Sequence, residues 1–398
     1  MTNLYNHQKE FLKQNPDKSS LIWSCGTGKT RTSIEWAKLG EFGTLIICPK
    51  SLKTNWIREI ERWGLQAFTV LTKEEFRRDA KELPPYQQII VDEVHNGFLT
   101  PLFRSEMSKA LRSYLKKHNV PRVLLLTATP YTASPWNIYN LALYTGHAWN
   151  YRTFEQEFFY NVRMGNRIIP QAKKGSEAKL AKIVKRIASV VNIEDILDVP
   201  LQNHLDPEYF ALTTTQIKAI KESYDPLPIV RYTHENEIEN GILYGNEFTA
   251  SQSFVCDKHE RILALVEENT KVAVVARYNG QIDLLAKLLA KHNPYIIRGD
   301  VKDRDAVCLA AEAAPKAVVL IQADCGIGFQ LPSFGLCVYA SMSYSYTSKI
   351  QMDGRFLRVD KPSRTTFMYL LTEGDSIDKA IYESILRKED FRIELYRK

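Results

Sequence analysis

The segment Trp23-Ser24-Cys25-Gly26-Thr27-Gly28-Lys29-Thr30 follows an apolar run, Ser20-Leu21-Ile22-Trp23, and leads into a helical stretch from Thr30 to Leu39. A strand, a glycine loop and a helix start in that order make a phosphate cradle. In the loop from Cys25 through Gly26 and Thr27 to Gly28, the glycines let backbone N–H groups close around phosphate oxygens. The helix N-terminus adds its positive dipole. Lys29 would reach the β- and γ-phosphates of a nucleotide, and Thr30 would ligate Mg2+. Trp23 stands where the pattern G-x-x-x-x-G-K-[ST] has its first glycine.

A pair of carboxylates lies about sixty residues further on. Asp92 and Glu93, in Asp92-Glu93-Val94-His95, follow the apolar run Ile89-Ile90-Val91, so both sit at the C-terminal end of a strand. Asp92 would hold Mg2+ through water. Glu93 would orient and deprotonate an attacking water, a role that needs a carboxylate near the terminal phosphate.

The elements that must position these groups are legible as apolar runs alternating with amphipathic stretches, the pattern of parallel α/β layers. Strands are expected at Ser20–Trp23, Thr44–Cys48, Gln88–Val91 and Val123–Leu126, with helices at Thr30–Leu39 and Ser51–Trp63. The second half repeats the rhythm, with strands at Lys271–Val275, Tyr295–Ile297, Ala317–Ile321, Cys337–Tyr339 and Phe367–Leu371, and a helix at Gln281–His292. Residues 151–250 break it with a basic stretch (Lys173, Lys174, Lys179, Lys182, Lys185, Arg186) and a turn-rich tract holding Asp225-Pro226-Leu227-Pro228. The expected organisation is a first lobe over residues 1–200, with a basic helical extension at about 151–190, a helical bridge over 201–250 and a second lobe over 251–398.

The chain has 398 residues, 44% hydrophobic and 25% charged, an ordinary globular composition. No run approaches a membrane span of ~18 apolar residues, and Met1 to Gln8 lacks the regions of a signal peptide. Six scattered cysteines without a C-x-x-C pair fit buried thiols in a reducing, cytoplasmic setting. Residues 1–200 carry 29 Lys+Arg against 19 Asp+Glu, a net +10, whereas residues 201–398 carry a net −3. A basic first half suits a polyanionic partner such as nucleic acid.

With the phosphate loop and the acidic pair in place, the chain resembles a superfamily-two helicase, and specifically a compact Swi/Snf-type DNA translocase. Tyr5-Asn6-His7-Gln8 resembles the Q motif, Cys48-Pro49-Lys50-Ser51-Leu52-Lys53-Thr54-Asn55-Trp56 motif Ia, Asp92 to His95 motif II, and Leu126-Thr127-Ala128-Thr129-Pro130 motif III. In the second half, Val274 to Tyr278 resembles motif IV, Ala323 to Leu331 motif V, and Gln351-Met352-Asp353-Gly354-Arg355-Phe356-Leu357-Arg358 motif VI. Gln330 stands where the family usually has Asn, and Gly354 where Swi/Snf-type proteins commonly have Asp.

The resemblance implies two tandem RecA-like lobes, each a parallel sheet flanked by helices, with ATP and Mg2+ as cofactors. It implies that Tyr5 and Gln8 take the adenine, and that Gly326 and Gln351 join the nucleotide-binding set. Arg355 and Arg358 are implied to insert from the facing lobe and neutralise charge in the transition state. DNA, duplex or branched, is implied as partner, with sequence-independent contacts from Lys50, Ser51, Thr129, Arg277 and Asp324. Ser51 and Thr129 fit helix caps equally well, Lys173 to Arg186 reads best as a solvated face, and Trp56 and Trp63 as core or half-buried. The activity expected is an ATP-dependent DNA helicase or translocase, the alternative being the motor subunit of a nuclease or methyltransferase complex.

Overall fold

A computed structural model describes the chain except residues 1–3, 101–104, 129–134, 148, 165–166, 174, 193–195, 197–201, 248, 302, 327–328, 358–363, 394–395 and 397–398. It divides into two compact units, Met1–Ile196 and Leu197–Lys398.

The first unit begins with α1 (Asn6–Gln14), β1 (Lys18–Trp23), α2 (Lys29–Gly40) and β2 (Thr44–Cys48). A short 3-10 turn, Lys50–Leu52, leads into α3 (Lys53–Trp63), followed by β3 (Phe68–Thr72), α4 (Lys73–Asp79) and β4 (Gln88–Val91). Next come α5 (Glu106–Lys117), β5 (Arg122–Thr127), α6 (Pro135–Tyr144) and α7 (Tyr151–Phe158). An antiparallel hairpin, β6 (Phe159–Met164) and β7 (Arg167–Ala172), precedes α8 (Glu177–Ile187) and β8 (Ala188–Val191).

The sheet has the order β3-β2-β4-β5-β1-β8, every pair parallel. Parallel strands are covered on both faces, so they read as unbroken apolar runs. The two faces divide by the two-residue period of a strand. Leu45, Ile47, Ile89, Val91, Val123 and Leu125 enter one core, while Ile46, Cys48, Ile90, Leu124 and Leu126 enter the other.

The second unit starts with β9 (Gln202–His204), β10 (Glu208–Phe210), α9 (Thr214–Glu222), α10 (Pro228–Glu239), β11 (Ile242–Leu243) and β12 (Gln252–Ser253). It continues with α11 (Asp257–Glu268), β13 (Lys271–Ala276), α12 (Asn279–Leu288), β14 (Tyr295–Ile297) and α13 (Arg304–Ala313). It ends with β15 (Ala317–Gln322), β16 (Leu336–Tyr339), α14 (Tyr346–Asp353), β17 (Thr365–Thr372) and α15 (Ile377–Leu386). Its main sheet runs β10-β17-β16-β13-β15-β14, with β9 also on β17, again parallel throughout. Val272, Val274, Leu320 and Val338 face one core, and Ala273, Val275, Ile321 and Tyr339 the other.

The α/β class with parallel sheets flanked by helices is therefore present in both units. Residues 201–250, expected as a bridge, contribute β9 and β10 to the second sheet, and α10 packs on α15. In the basic stretch, α8 buries Leu180, Ile183, Val184 and Ile187 and leaves Lys179, Lys182, Lys185 and Arg186 exposed. A solvated basic face is what the structure has there.

Candidate active site

In a parallel sheet the loops that bind ligands gather at the C-terminal ends of the strands. The first unit puts the phosphate loop after β1, Lys50 and Ser51 after β2, Asp92 and Glu93 after β4, and Ala128 after β5. The strand order β4-β5-β1 leaves the acidic pair and the phosphate loop two strands apart. At ~4.8 Å per strand that separation is about 10 Å, room for a phosphate and a metal ion between them.

The loop itself needs its glycines. Gly26 and Gly28 have φ of 80° and 87°, a left-handed region costly to side chains, and Gly28 precedes the first turn of α2. Lys29 Nζ donates to the Trp23 carbonyl at 2.7 Å and to the Ser24 carbonyl at 3.2 Å, and Thr30 is the second residue of α2. The Thr27 hydroxyl donates to the Ser24 carbonyl at 2.8 Å, and Cys25 is half-buried.

Trp23, at the place of the first glycine, is the last residue of β1 and fully buried. Its indole N–H donates to Ser189 Oγ at 2.9 Å, and its ring meets Phe11 and His7 edge-on. The bulky side chain is thus taken up by the core.

Helix α1 sits over this loop. Gln8 is buried; its amide nitrogen donates to the Gly28 carbonyl at 3.2 Å and to Thr32 Oγ1 at 3.0 Å, and its oxygen accepts from Tyr5 N–H at 2.8 Å. The Tyr5 ring stacks on His7, whose Nε2 lies 2.9 Å from the Thr27 carbonyl oxygen. Tyr5 and Gln8 are thereby placed against the phosphate loop.

The acidic pair is almost wholly buried, with Asp92 6% and Glu93 5% exposed. Asp92 N–H donates to Ile47 O and Val94 N–H to Leu126 O, which pins the segment between β2 and β5. Glu93 adopts φ of 48°. A non-glycine residue held there costs of order 1–3 kcal/mol, and such strain gathers at functional sites.

Its Oε2 is buried and accepts no hydrogen bond among the described residues. The nearby His95 Nδ1, 3.4 Å away, lies 2.9 Å from Thr127 Oγ1. Burial, helped by the positive charges of Lys73 and Lys29, pushes the His95 imidazole down to about 4, so the ring is neutral near pH 7. Burial first, and then the charge of Glu93, pushes the Asp92 carboxyl above its ordinary range; the Trp56 indole N–H, and after it the positive charge of Lys29, oppose this.

Two residues here were not given a role by sequence reasoning. Trp56 on α3 is fully buried and donates its indole N–H to Asp92 Oδ2 at 2.8 Å. Lys73 is 5% exposed and donates to the Asn96 carbonyl at 3.1 Å; burial lowers its pKa, and the negative charges of Glu74, Glu93 and Asp92 oppose this. The tryptophan was legible as a core residue, but its partner lies 36 residues away. A lone lysine at the start of α4 gave no signal.

Lys50 and Ser51 are exposed in the 3-10 turn that follows β2. Thr129 and Arg358 lie outside the described residues. In the second unit, Arg277 follows β13 and Asp324 follows β15, both at the C-terminal edge of the sheet. The segment Ser341 to Tyr344 holds them. Ser341 Oγ accepts from Arg277 N–H at 2.7 Å, Tyr344 stacks 3.5 Å beneath the Arg277 guanidinium, and Ser343 Oγ donates to the exposed Asp324.

Gln351, on α14, is buried, and a Cβ on Gly326 would come within 3.1 Å of the Met352 backbone nitrogen, so the two segments pack backbone to backbone. Arg355 is 8% exposed and donates to the Gln351 carbonyl at 3.1 Å and the Phe329 carbonyl at 3.3 Å. Its guanidinium ties the second unit together.

No protein-family model matches the chain, and no curated protein matches it by sequence. Among solved structures it is similar to the Sulfolobus solfataricus SWI2/SNF2 ATPase core in complex with dsDNA, at 18% identity and a TM-score of 0.45. That match covers 100% of this chain and 92% of that one. At that level the likeness assigns no role to any side chain. No helix among the described residues is long and apolar enough to cross a membrane.

Proposed function

We propose that the chain is a nucleic-acid-stimulated ATPase of the superfamily-two, Swi/Snf-like type, built from two RecA-like lobes, that couples ATP hydrolysis to movement along or remodelling of DNA. The observation that carries this reading is the Glu93 carboxylate, held on a strained backbone with a buried oxygen that accepts no hydrogen bond among the described residues. It stands, next to Asp92, two strands from a glycine loop whose Lys29 opens the following helix.

The donor set fits a magnesium nucleotide, because Mg2+ takes one or two carboxylates together with phosphate oxygens rather than a cage of protein ligands. Thr30 and Asp92 would hold the ion, which when bound supplies positive charge to the β- and γ-phosphates. Lys29, freed from the Trp23 and Ser24 carbonyls, binds the same phosphates. Glu93 Oε2 accepts the proton of a water and orients it. His95, neutral, brings no positive charge beside that carboxylate. Tyr5 and Gln8 border the loop where the base would lie, with Gly326 and Gln351 added by the resemblance.

For DNA, the net charge of +10 over residues 1–200 and the exposed Lys50 and Ser51 support backbone contacts. Arg277 and Asp324 are proposed for the same role in the second unit, and Thr129 by resemblance alone.

Two variants test the reading. Glu93→Gln keeps shape and metal contacts but not the base, so it should bind ATP while turnover falls ~10²–10⁴-fold. Lys29→Ala should lose both binding and turnover. A glutamine variant that hydrolyses ATP within a few-fold of the unmodified protein removes Glu93 from this role.

A further inference from the structure

Asp92 has both carboxylate oxygens engaged within the protein: Oδ2 accepts the Trp56 indole N–H at 2.8 Å, and Oδ1 accepts the Glu93 backbone N–H at 2.9 Å. An ionised carboxylate has about four lone-pair sites, so each oxygen retains one for water or metal. A carboxylate held by a single bond can still rotate, whereas two bonds on opposite oxygens fix its plane. The Glu93 bond is local and turns with the backbone. The Trp56 bond is the one that references Asp92 to a different element, since Trp56 sits fully buried on α3 among Ile46, Cys48 and Ile90.

From this we infer that Trp56 is a positioning residue for the magnesium site: its indole N–H sets the orientation in which Asp92 meets the ion. The inference rests on the ATPase reading above. It also gives the α3 segment a second consequence. The exposed Lys50 and Ser51 lie one to two helical turns before Trp56, so a ligand that shifts the start of α3 would alter the Asp92 carboxylate through this bond. An indole is suited to the task because it is a donor only and cannot compete for the metal. Its ring is anchored by packing, so the direction of the N–H is fixed.

The test removes the donor and keeps the shape. Benzothienylalanine incorporated at position 56 replaces the N–H with sulfur in a ring of nearly the same size, and Trp56→Phe serves as the genetic counterpart. Binding of Mn2+ in the presence of a non-hydrolysable ATP analogue, followed by electron paramagnetic resonance on the full chain, reads metal affinity without turnover; melting temperature is measured on the same preparations.

Loss of a partner that orients a metal ligand typically weakens affinity 10–100-fold. The expected result is a drop of at least about 10-fold in nucleotide-dependent Mn2+ affinity for the sulfur variant, with nucleotide affinity in chelator unchanged; the melting temperature falls as one buried hydrogen bond is lost, while the protein stays folded at the temperature of the binding measurement. Unchanged Mn2+ affinity in the folded variant, or a loss that only tracks unfolded protein, overturns the inference while leaving the ATPase reading intact. If the unmodified protein itself shows no nucleotide-dependent Mn2+ binding, the ATPase reading falls and takes this inference with it.

Discussion

Gln8 and Gly28 share one space: a Cβ on Gly28 would lie 2.5 Å from the Gln8 amide nitrogen, which donates to the Gly28 carbonyl and to Thr32 Oγ1. The first helix therefore closes on the phosphate loop only because residue 28 has no side chain. Position 28 also has φ of 87°, so an added side chain meets both a neighbour and an unfavourable backbone.

Gly28→Ala should accordingly lower both stability and nucleotide affinity. The left-handed backbone alone costs roughly 1–2 kcal/mol for an L-residue, and displacement of Gln8 adds to it. Adding Gln8→Ala relieves the contact but not the backbone, so the double variant should recover only part of the lost stability, while its nucleotide affinity stays low because Gln8 itself is proposed to border the base. Denaturant unfolding and nucleotide titration of the three variants check this. A Gly28→Ala protein as stable as the parent would mean that the loop is not held in this conformation.

The two arginines of motif VI should separate by experiment. Arg355 donates to two backbone carbonyls inside the second unit, so Arg355→Ala removes two buried, charge-assisted hydrogen bonds. The expected cost is about 1–3 kcal/mol of stability, seen as an earlier unfolding transition. Arg358 is assigned to hydrolysis by resemblance, and Arg358→Ala should leave the melting temperature alone while DNA-stimulated turnover falls ~10³-fold or more. Were Arg355→Ala fully stable and only slow, the finger role would belong to Arg355 instead.

A buried ion pair offers a test of the second unit alone. Lys258 and Asp378 are 4% and 3% exposed at the side chain, and Asp378 also accepts from Asn236, Asn240 and Thr372. Lys258→Met strips the cation from a buried carboxylate, which typically costs 3–5 kcal/mol, or about that much here. The effect should appear in the unfolding transition of the second unit and spare that of the first. A shift of both transitions together would show that the units unfold as one.

The central strands were legible because burial on both faces leaves few polar interruptions; Ile89-Ile90-Val91 and Val272 to Val275 carry no competing signal. The edges were not. Strand β3 alternates exposed and buried positions over Phe68–Thr72, and β8 is partly exposed throughout Ala188–Val191, so neither stands out as an apolar run. β9 and β10 are three residues each and gain their strand character only by pairing with β17.

At the site, the residue types of the phosphate loop and of Asp92-Glu93 could be read directly, since each is a local pattern. The left-handed backbone of Glu93 and the hold of Trp56 on Asp92 could not, because both are set by contacts between distant segments. For Arg355 a motif position suggested a reactive role, but its bonds to the Gln351 and Phe329 carbonyls were not legible, because Phe329 lies on a separate segment.

Acid should reveal how the start of α4 is held. Thr72 and Glu75 cap this helix reciprocally: Thr72 Oγ1 accepts Glu75 N–H at 3.2 Å, and Glu75 Oε2 accepts Thr72 N–H at 2.7 Å. Lys53 Nζ donates to both Glu75 oxygens, at 3.0 and 2.8 Å, and ties the start of α3 to α4. These bonds, that of Lys53 foremost, bring the Glu75 carboxyl down to about 2 from its ordinary 4.5. Since the folded value lies below the unfolded one, the stabilisation is fully present above about pH 4.5 and disappears as pH falls towards 2. The side chains are about a third exposed, so salt should weaken the effect.

Glu75→Gln removes the titrating charge while keeping the amide oxygen as a cap acceptor. The parent should therefore melt above the variant at neutral pH, with the gap narrowing steadily below pH 4.5 and closing near pH 2. Carbon-13 shifts of the Glu75 carboxyl would report the same titration directly. A melting gap that does not change with pH, or a carboxyl that titrates near 4.5, would show that Lys53 does not hold Glu75 in solution.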